Sequence, residues 1–172
     1  MRRTLALLLL VTSQMALAEK WGAVVIRPAS CSLKFPGPMI ETSRQQRSQN
    51  LVIQYSMYVG KGLSTNCALT VAKLPKVTPS VVDRFVAATE EGFIRAAHGL
   101  PVSDGQKNVD GIAGRYIVVS VNERSMGFWI TKLGTKVYVL SISSNSTDFK
   151  SNELEFFKSF NILDSMLTES TG

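Results

Sequence analysis

Apolar and polar residues alternate with a period of two over residues 51–59, the clearest pattern in the chain. Leu51, Ile53 and Tyr55 fall on one face of an extended chain and the residues between them on the other, which is typical of a half-buried β-strand. Short turns separate the last three predicted strands, which indicates an antiparallel meander. Besides 51–59, the predicted strands are residues 21–27, 31–35, 67–73, 114–121, 126–132 and 136–143.

Two other segments have the spacing of amphipathic helices. The first starts with Thr78 and Pro79, which suit an N-cap and a first helical turn, and stops at Gly99. Its apolar positions form one stripe, so this helix is expected to cover a sheet. The second, residues 152–160, starts with Asn152 as a cap and predicts a short helix on the same sheet. This order of elements predicts a single α+β domain, with an antiparallel β-sheet flanked by helices in an α/β/α sandwich.

Two polar stretches interrupt these elements. Residues 40–50 carry Arg44 and Arg47 among Gln and Ser, and residues 101–111 are rich in Asp, Gly, Asn and Ser. Both stretches are expected to be solvated loops. We take Arg44 and Arg47 as candidate contacts for a binding partner.

The N-terminus has the three parts of a secretory signal peptide. Arg2 and Arg3 precede an unbroken apolar run over residues 5–11, and Ala16-Leu17-Ala18 supplies the small residues that a signal peptidase reads. The run is far shorter than the ~20 residues that span a bilayer. We therefore expect cleavage after Ala18 and a periplasmic or secreted location.

Cleavage would divide the chain into a signal peptide, 1–18, and one exported domain, 19–172, whose core spans about 30–163. No later apolar stretch is long enough to cross a membrane, so no integral membrane segment is expected after cleavage. The net charge of +6 includes two arginines of the signal peptide and falls to +4 in the exported domain. The basic residues are scattered, which argues against nucleic acid as a partner.

Cys31 and Cys67 are the only cysteines of the chain. An even pair in an exported protein predicts one structural disulfide between them. A redox or metal site is the alternative, and it has less support because the chain lacks a CxxC pair and contains a single histidine.

That histidine, His98, is also the residue that a nucleophilic triad would need as its base. Its place at the predicted end of the long helix favours an interaction with the helix dipole instead. The sequence has no G-x-S-x-G motif, P-loop or Asp-rich calcium loop, so we expect no catalytic residues, no metal and no cofactor. Trp129 lies beside Phe128 in a predicted strand, and whichever of the two faces outward is a further candidate partner contact.

Several short motifs occur in an order that resembles the PsbP-like superfamily. Phe35-Pro36-Gly37 precedes the strand with Tyr55, a Pro-flanked helix and a meander follow, and Phe-x-x-Ser-Phe over residues 156–160 closes the domain. The superfamily includes photosystem extrinsic subunits, a nuclear-transport cofactor and bacterial envelope proteins, and the resemblance here is to a bacterial envelope protein of the DcrB type. It implies an α/β/α sandwich with a binding or assembly role, and it brings no catalytic residues to carry over.

These observations together predict a non-enzymatic periplasmic accessory protein that binds another envelope protein. A small-ligand or lipid-binding module, with its pocket between the sheet and the long helix, is one alternative. A periplasmic immunity protein is a special case of the first prediction, and an enzyme with dispersed carboxylates is a further alternative. The sequence leaves the identity of the partner and the oligomeric state open.

Overall fold

The computed structural model describes residues 20–48, 51–97 and 100–163. In this part of the chain two helices, α1 (Pro79–Ala97) and α2 (Phe149–Lys158), accompany the strands, and a 3-10 turn at Arg27–Ala29 joins the first two strands. The strands are β1 (Trp21–Ile26), β2 (Cys31–Pro36), β3 (Met39–Ser48), β4 (Leu51–Lys61), β5 (Asn66–Lys73), β6 (Leu100–Val109), β7 (Ile112–Val121), β8 (Arg124–Leu133), β9 (Lys136–Asn145) and β10 (Asn161–Ile162).

The described strands form two antiparallel sheets. The large sheet has the order β3-β4-β5-β9-β8-β7-β6, and the small sheet has the order β1-β2-β10. α1 packs on one face of the large sheet, over β7 and β8, whereas α2 and the small sheet cover the opposite face. The predicted α+β architecture, with helices on both sides of an antiparallel sheet, is confirmed.

The alternating segment 51–59 lies within β4 and contributes buried side chains on both of its faces. Ile53 packs under α1 and Tyr58 packs under the small sheet, with exposed fractions of 3% and 1%. Because successive residues of a strand point to opposite faces, a strand in the middle layer of a sandwich buries residues of both parities. The alternation therefore predicted the strand correctly, but it revealed only the buried residues that face α1 and not those that face the small sheet.

Aromatic side chains fill the layer between the large sheet, the small sheet and α2. Trp129 lies in this core with its ring centroid 5.7 Å from that of Phe160. Phe156 lies 6.2 Å from Phe35 of β2, measured between ring centroids. The closing Phe-x-x-Ser-Phe motif thus joins α2 to both sheets.

α1 confirms the predicted amphipathic helix. The carbonyl oxygen of Thr78 accepts backbone hydrogen bonds from the first helical turn, so the helix begins where the sequence predicts. Its Phe93 stacks on Phe128 of β8, with ring centroids 4.6 Å apart. The predicted stop at Gly99, and His98 beside it, lie outside the described residues.

Both polar stretches that predict loops are edge strands of the large sheet. Residues 40–50 belong mainly to β3, and residues 101–111 belong mainly to β6. An edge strand pairs on one side only, and most side chains of these two strands are exposed on both faces. The loop predictions were wrong because a strand that is solvent-exposed on both faces lacks the alternation of apolar and polar residues that marks a half-buried strand.

The predicted disulfide between Cys31 and Cys67 is not present in the structure, although both side chains are buried. Phe35 of β2 packs on Gly60, the register partner of Cys67, whereas Cys31 lies four residues before Phe35 in β2. At ~3.3 Å per residue Cys31 is roughly 13 Å along β2 from the contact beside Cys67. A disulfide joins Cα atoms roughly 4.4–6.8 Å apart, so the structure corrects the pairing that the even cysteine count predicts.

α2 begins at Phe149, before the predicted start at Asn152. Asn152 does not cap the helix. Its side-chain amide donates hydrogen bonds to the hydroxyl oxygens of Thr65, at 2.7 Å, and Ser144, at 3.1 Å. These bonds attach α2 to β9 and to the turn that precedes β5.

None of the helices described by the structure is long and apolar enough to cross a membrane. The predicted signal peptide, 1–18, lies outside the described residues. The described residues instead cover most of the predicted core, 30–163, together with β1.

Candidate binding cleft

A cleft opens between α1 and the large sheet, on the side of the helix that faces β4 and β5. It has a volume of about 500 Å³. Ala72, Val137 and Val139 contribute its sheet side, and Phe85 and Phe93 contribute its helix side. Concave, mostly apolar cavities of ~300–1,000 Å³ are the usual sites for small ligands in proteins.

Small residues of α1 keep this cleft open. Ala88, Gly92 and Ala96 are spaced by four, so they share one face of the helix, and all three line the cleft. A Cβ atom at Gly92 would have nothing within 4 Å. Larger side chains on this face would therefore occupy the space between the helix and the sheet.

Arg44 of β3 lies at the mouth of the cleft. It is the register partner of Tyr55, and its guanidinium carbon is 5.3 Å from the centroid of the Tyr55 ring, a cation–π distance. Burial raises the pKa of Tyr55, and the positive charge of Arg44 opposes that shift. Among the described residues, Arg44 makes no ion pair within 4 Å and is the only charged residue that lines the cleft. The mouth therefore carries a positive charge that no described residue neutralises.

Apolar surface and internally bonded polar groups make up the rest of the walls. Met57 of β4 is 40% exposed, a large fraction for this side chain. Thr89 donates its hydroxyl to the carbonyl oxygen of Phe85 at 2.7 Å, so this hydroxyl is used within α1. The cleft thus combines apolar walls with one cation at the rim.

Arg44 and Arg47, predicted together as partner contacts, are separated by the structure. They are three residues apart in β3, and residues at odd spacing in a strand point to opposite faces of the sheet. Arg47 is the register partner of Val52 and lies on the face away from α1. Only Arg44 belongs to the cleft, while Arg47 is exposed along the edge.

Trp129, the third predicted partner contact, is a core residue. Its exposed fraction is 0%, and its indole Nε1 donates a hydrogen bond to the carbonyl oxygen of Lys107 at 2.9 Å. Phe128 points to the opposite face and is covered by α1. Because the meander is the middle layer of the sandwich, neither aromatic residue faces outward, and this prediction is corrected.

Sequence reasoning missed the helix side of the cleft. The apolar stripe of α1 was expected to cover the sheet, and its Phe85 and Phe93 also line the cleft. The regular spacing of Ala88, Gly92 and Ala96 within the predicted helix is the signal that could have located the cleft.

A second cleft, of about 350 Å³, lies on the other side of α1 and is lined by charged residues. Arg115 pairs with Asp104 at 2.6 Å, and Lys132 pairs with Asp83. Burial raises the pKa of Glu90 here, while Arg115 lowers it and Asp104 adds to the rise. Neither this cleft nor any other described part of the chain holds three His, Cys, Asp or Glu residues grouped to bind a metal ion.

Comparison with known proteins extends these findings at the level of the fold. No family model and no curated protein matches the sequence. Among solved structures, the chain is similar to cyanobacterial PsbP (CyanoP) from Synechocystis sp. PCC 6803, with a TM-score of 0.50 and 14% sequence identity. The match covers 87% of this chain and 95% of that chain. The fold is PsbP-like.

The structure shows what the short motifs behind the PsbP-like resemblance do in the fold. Phe35 packs on Gly60, and the Phe-x-x-Ser-Phe motif supplies Phe156 and Phe160 to the same core. Phe35, Phe156 and Phe160 therefore maintain the fold, whereas Tyr55 and the Pro-flanked helix of the same resemblance line the cleft. At 14% identity the likeness covers the fold, and partners and sites need their own arguments.

Proposed function

We propose that the protein is a non-enzymatic, periplasmic accessory protein of the DcrB type, which binds another envelope protein along the outer edge of β3. Export is supported by the signal-peptide pattern of residues 1–18. The binding role is supported by one observation above the others, the open edge that β3 presents.

β3 is long, regular and uncovered. Within the described residues it pairs only with β4, in an unbroken register that runs over all 10 of its residues. Residues 40–47 are all exposed, and the strand contains no proline. Natural proteins protect edge strands by charged side chains, bulges, proline, short length or a covering element, and of these β3 has only the charged side chains. An edge without a bulge, proline or cover can accept an added strand from a partner of complementary charge, whose backbone then pairs with it.

The opposite edge of the large sheet is less suited to an added strand. The register of β6 with β7 shifts between Pro101 and Ser103, which interrupts the edge. Asp104 and Lys107 of β6 form ion pairs with other residues of the domain. β6 is therefore occupied by contacts within its own fold, and it serves as the natural comparison for β3.

The side chains of β3 favour a partner strand with acidic residues. The strand carries two arginines, Arg44 and Arg47, and one acidic residue, Glu41. The arginines lie on opposite faces, so a strand added beside β3 would meet a positive charge on each face. Opposite charges on neighbouring strands stabilise a pair by roughly 0.2–1 kcal/mol.

Site-specific photo-crosslinking tests this proposal. A photoreactive residue at Gln45, on the same face as Arg47, is expected to give one discrete protein adduct in the envelope fraction of the native host. The same residue at Asn108 in β6 is the control and is expected to give no such adduct. Arg47→Glu should weaken the adduct from Gln45, because it reverses the charge that the partner meets. Equal adducts from both edges, or an adduct insensitive to Arg47→Glu, would contradict the proposal.

The cleft beside α1 supports a second candidate function, the binding of a small apolar ligand. Its volume of about 500 Å³ and its apolar walls are the observations in favour. Native mass spectrometry of the purified protein should then detect a retained ligand. Gly92→Leu, which places a side chain in the open space of the cleft, should abolish that retention.

A further inference from the structure

The cleft beside α1 is apolar along its walls and charged at a single point. Arg44 is held over the ring of Tyr55 at the mouth, and no described carboxylate lies within 4 Å of its guanidinium. A guanidinium presents several N–H donors in a fixed plane that matches the oxygens of a carboxylate or phosphate. A positive charge next to an apolar cavity suits an anionic group attached to an apolar chain.

We propose that the cleft binds a free single-chain amphiphile with one anionic head group, of the fatty carboxylate class. This inference rests on the second candidate function and specifies the chemistry of its ligand. The head group accepts hydrogen bonds from Arg44, and the chain lies between Met57 of the sheet and the Gly92 face of α1. Met57 is 40% exposed, so the chain would remove apolar surface of the protein from water as well as its own.

The charge pattern discriminates between ligands that share the same chain. No acidic side chain lines the described part of the cleft, so a cationic head group would meet only the like charge of Arg44. A neutral head group would gain the apolar contacts and leave the guanidinium without an ionic partner. From the strength of charge-assisted hydrogen bonds, a carboxylate should bind at least about 10-fold more tightly than the matching alcohol.

Calorimetric titration of the mature protein with decanoate, below its critical micelle concentration, and with decanol, below its solubility limit, measures this difference. Arg44→Gln should reduce decanoate affinity by about 10-fold and remove the preference over decanol. Arg47→Gln is the matched control, because it removes the same charge from the same strand on the other face, and it should bind as the wild type does. Gly92→Leu should abolish the binding of both ligands while its thermal unfolding stays cooperative.

The outcomes separate this inference from the function on which it rests. Equal binding of decanoate and decanol would overturn the anionic class and leave ligand binding in the cleft intact. Absence of binding for both would overturn the inference and the second candidate function together. An equal loss in the Arg44→Gln and Arg47→Gln variants would show general charge attraction and would also overturn the inference.

A second arm distinguishes a free amphiphile from a lipid surface. Vesicles of phosphatidylcholine, with and without phosphatidylglycerol, are sedimented with the wild type and with the Arg44→Gln variant. No sedimentation that depends on Arg44 is expected, because the cleft takes a single free chain. Sedimentation that requires both the anionic lipid and Arg44 would place the head group in a bilayer and would overturn the proposal of a free ligand.

Discussion

Phe35 of β2 packs directly on Gly60 of β4, and a Cβ atom at Gly60 would lie 2.5 Å from the Cβ atom of Phe35. Both residues are buried, and the Phe35 side chain is 0% exposed. The small sheet therefore reaches this distance from the large sheet only because residue 60 has no side chain. The contact involves atoms next to the backbone, so it cannot be relieved by rotating a flexible side chain.

The replacement Gly60→Ala should destabilise the protein by about 1–3 kcal/mol, the usual cost of overpacking a buried site. Urea denaturation followed by circular dichroism measures the change in the free energy of unfolding. Gly22→Ala in β1 is the matched control, since a Cβ atom at Gly22 would have nothing within 4 Å. The control should change stability by no more than about 0.5 kcal/mol. Equal effects of the two replacements would show that the approach of the two sheets is looser than the structure indicates.

The elements predicted correctly from the sequence are those that another layer of the fold covers. β4 and the meander bury apolar residues against covering layers on both of their faces, and α1 buries one apolar stripe against the sheet, so their sequences contain apolar runs or periodic apolar positions. β3 and β6 have no covering layer over most of their length, so their sequences carry no such signal. Their positions in the sheet depend on pairing with other strands, and a local pattern of apolar and polar residues does not reveal that pairing.

The positions of the candidate site residues likewise depend on contacts between residues far apart in the sequence. Arg44 was predicted as a partner contact, and this stays a prediction; its place at the mouth of the cleft follows from its register with Tyr55. Trp129 was misassigned because its burial is decided by α2 and the small sheet, far away in sequence. The predicted disulfide between Cys31 and Cys67 was wrong for a similar reason, because the number of cysteines in a sequence does not tell how far apart they lie in the fold.

Trp129→Phe tests the core assignment of this tryptophan. The smaller ring loses packing against Phe160 and the hydrogen bond from the indole to the carbonyl oxygen of Lys107. We expect a loss of about 2–4 kcal/mol in the free energy of unfolding. Trp21→Phe, at a half-buried position, should cost less than about 1.5 kcal/mol. A Trp129→Phe variant with unchanged stability and weakened partner binding would instead support a surface role.

The thiols of Cys31 and Cys67 should both be titratable in the unreduced protein once it is unfolded. Burial raises the pKa of Cys31 to about 12, although Lys136 lowers it in part. At pH 8 the thiolate fraction of Cys31 is then about 10⁻⁴, compared with roughly a quarter for an ordinary thiol. Ellman's reagent should therefore react with Cys31 slowly in the folded protein and should count two thiols in urea. A count of zero without reductant would contradict the separation of the two cysteines.

Gly92→Ala should stabilise α1 and narrow the cleft. Alanine is favoured over glycine in a helix by about 1 kcal/mol, and the added methyl group meets no atom within 4 Å. Thermal unfolding should show a higher Tm for the variant. Ala88→Gly on the same helix face is the reciprocal variant and should lower Tm by a comparable amount. A lower Tm for Gly92→Ala would show that glycine is needed there for the fold itself.

Glu90 should make the stability of the protein fall as pH rises through the acidic range. Burial raises the pKa of Glu90 in the folded state above its ordinary value of ~4.3, with Arg115 opposing the rise. The folded protein therefore holds this proton at a pH where the unfolded chain has released it, and the resulting penalty is complete above the folded pKa. Below pH ~4 both states are protonated and the penalty disappears.

Glu90→Gln removes this ionisation and should stabilise the protein at pH 7. Glu90 is only partly buried, so water screens the effect and the gain should stay below about 1 kcal/mol. The difference in Tm between the variant and the wild type should shrink as pH is lowered and vanish near pH ~4. Glu91→Gln, at the next and exposed position of α1, is the control for the loss of one negative charge from the helix. If instead Glu90→Gln destabilises the protein at pH 7, the attraction to Arg115 outweighs the cost of burying the carboxylate.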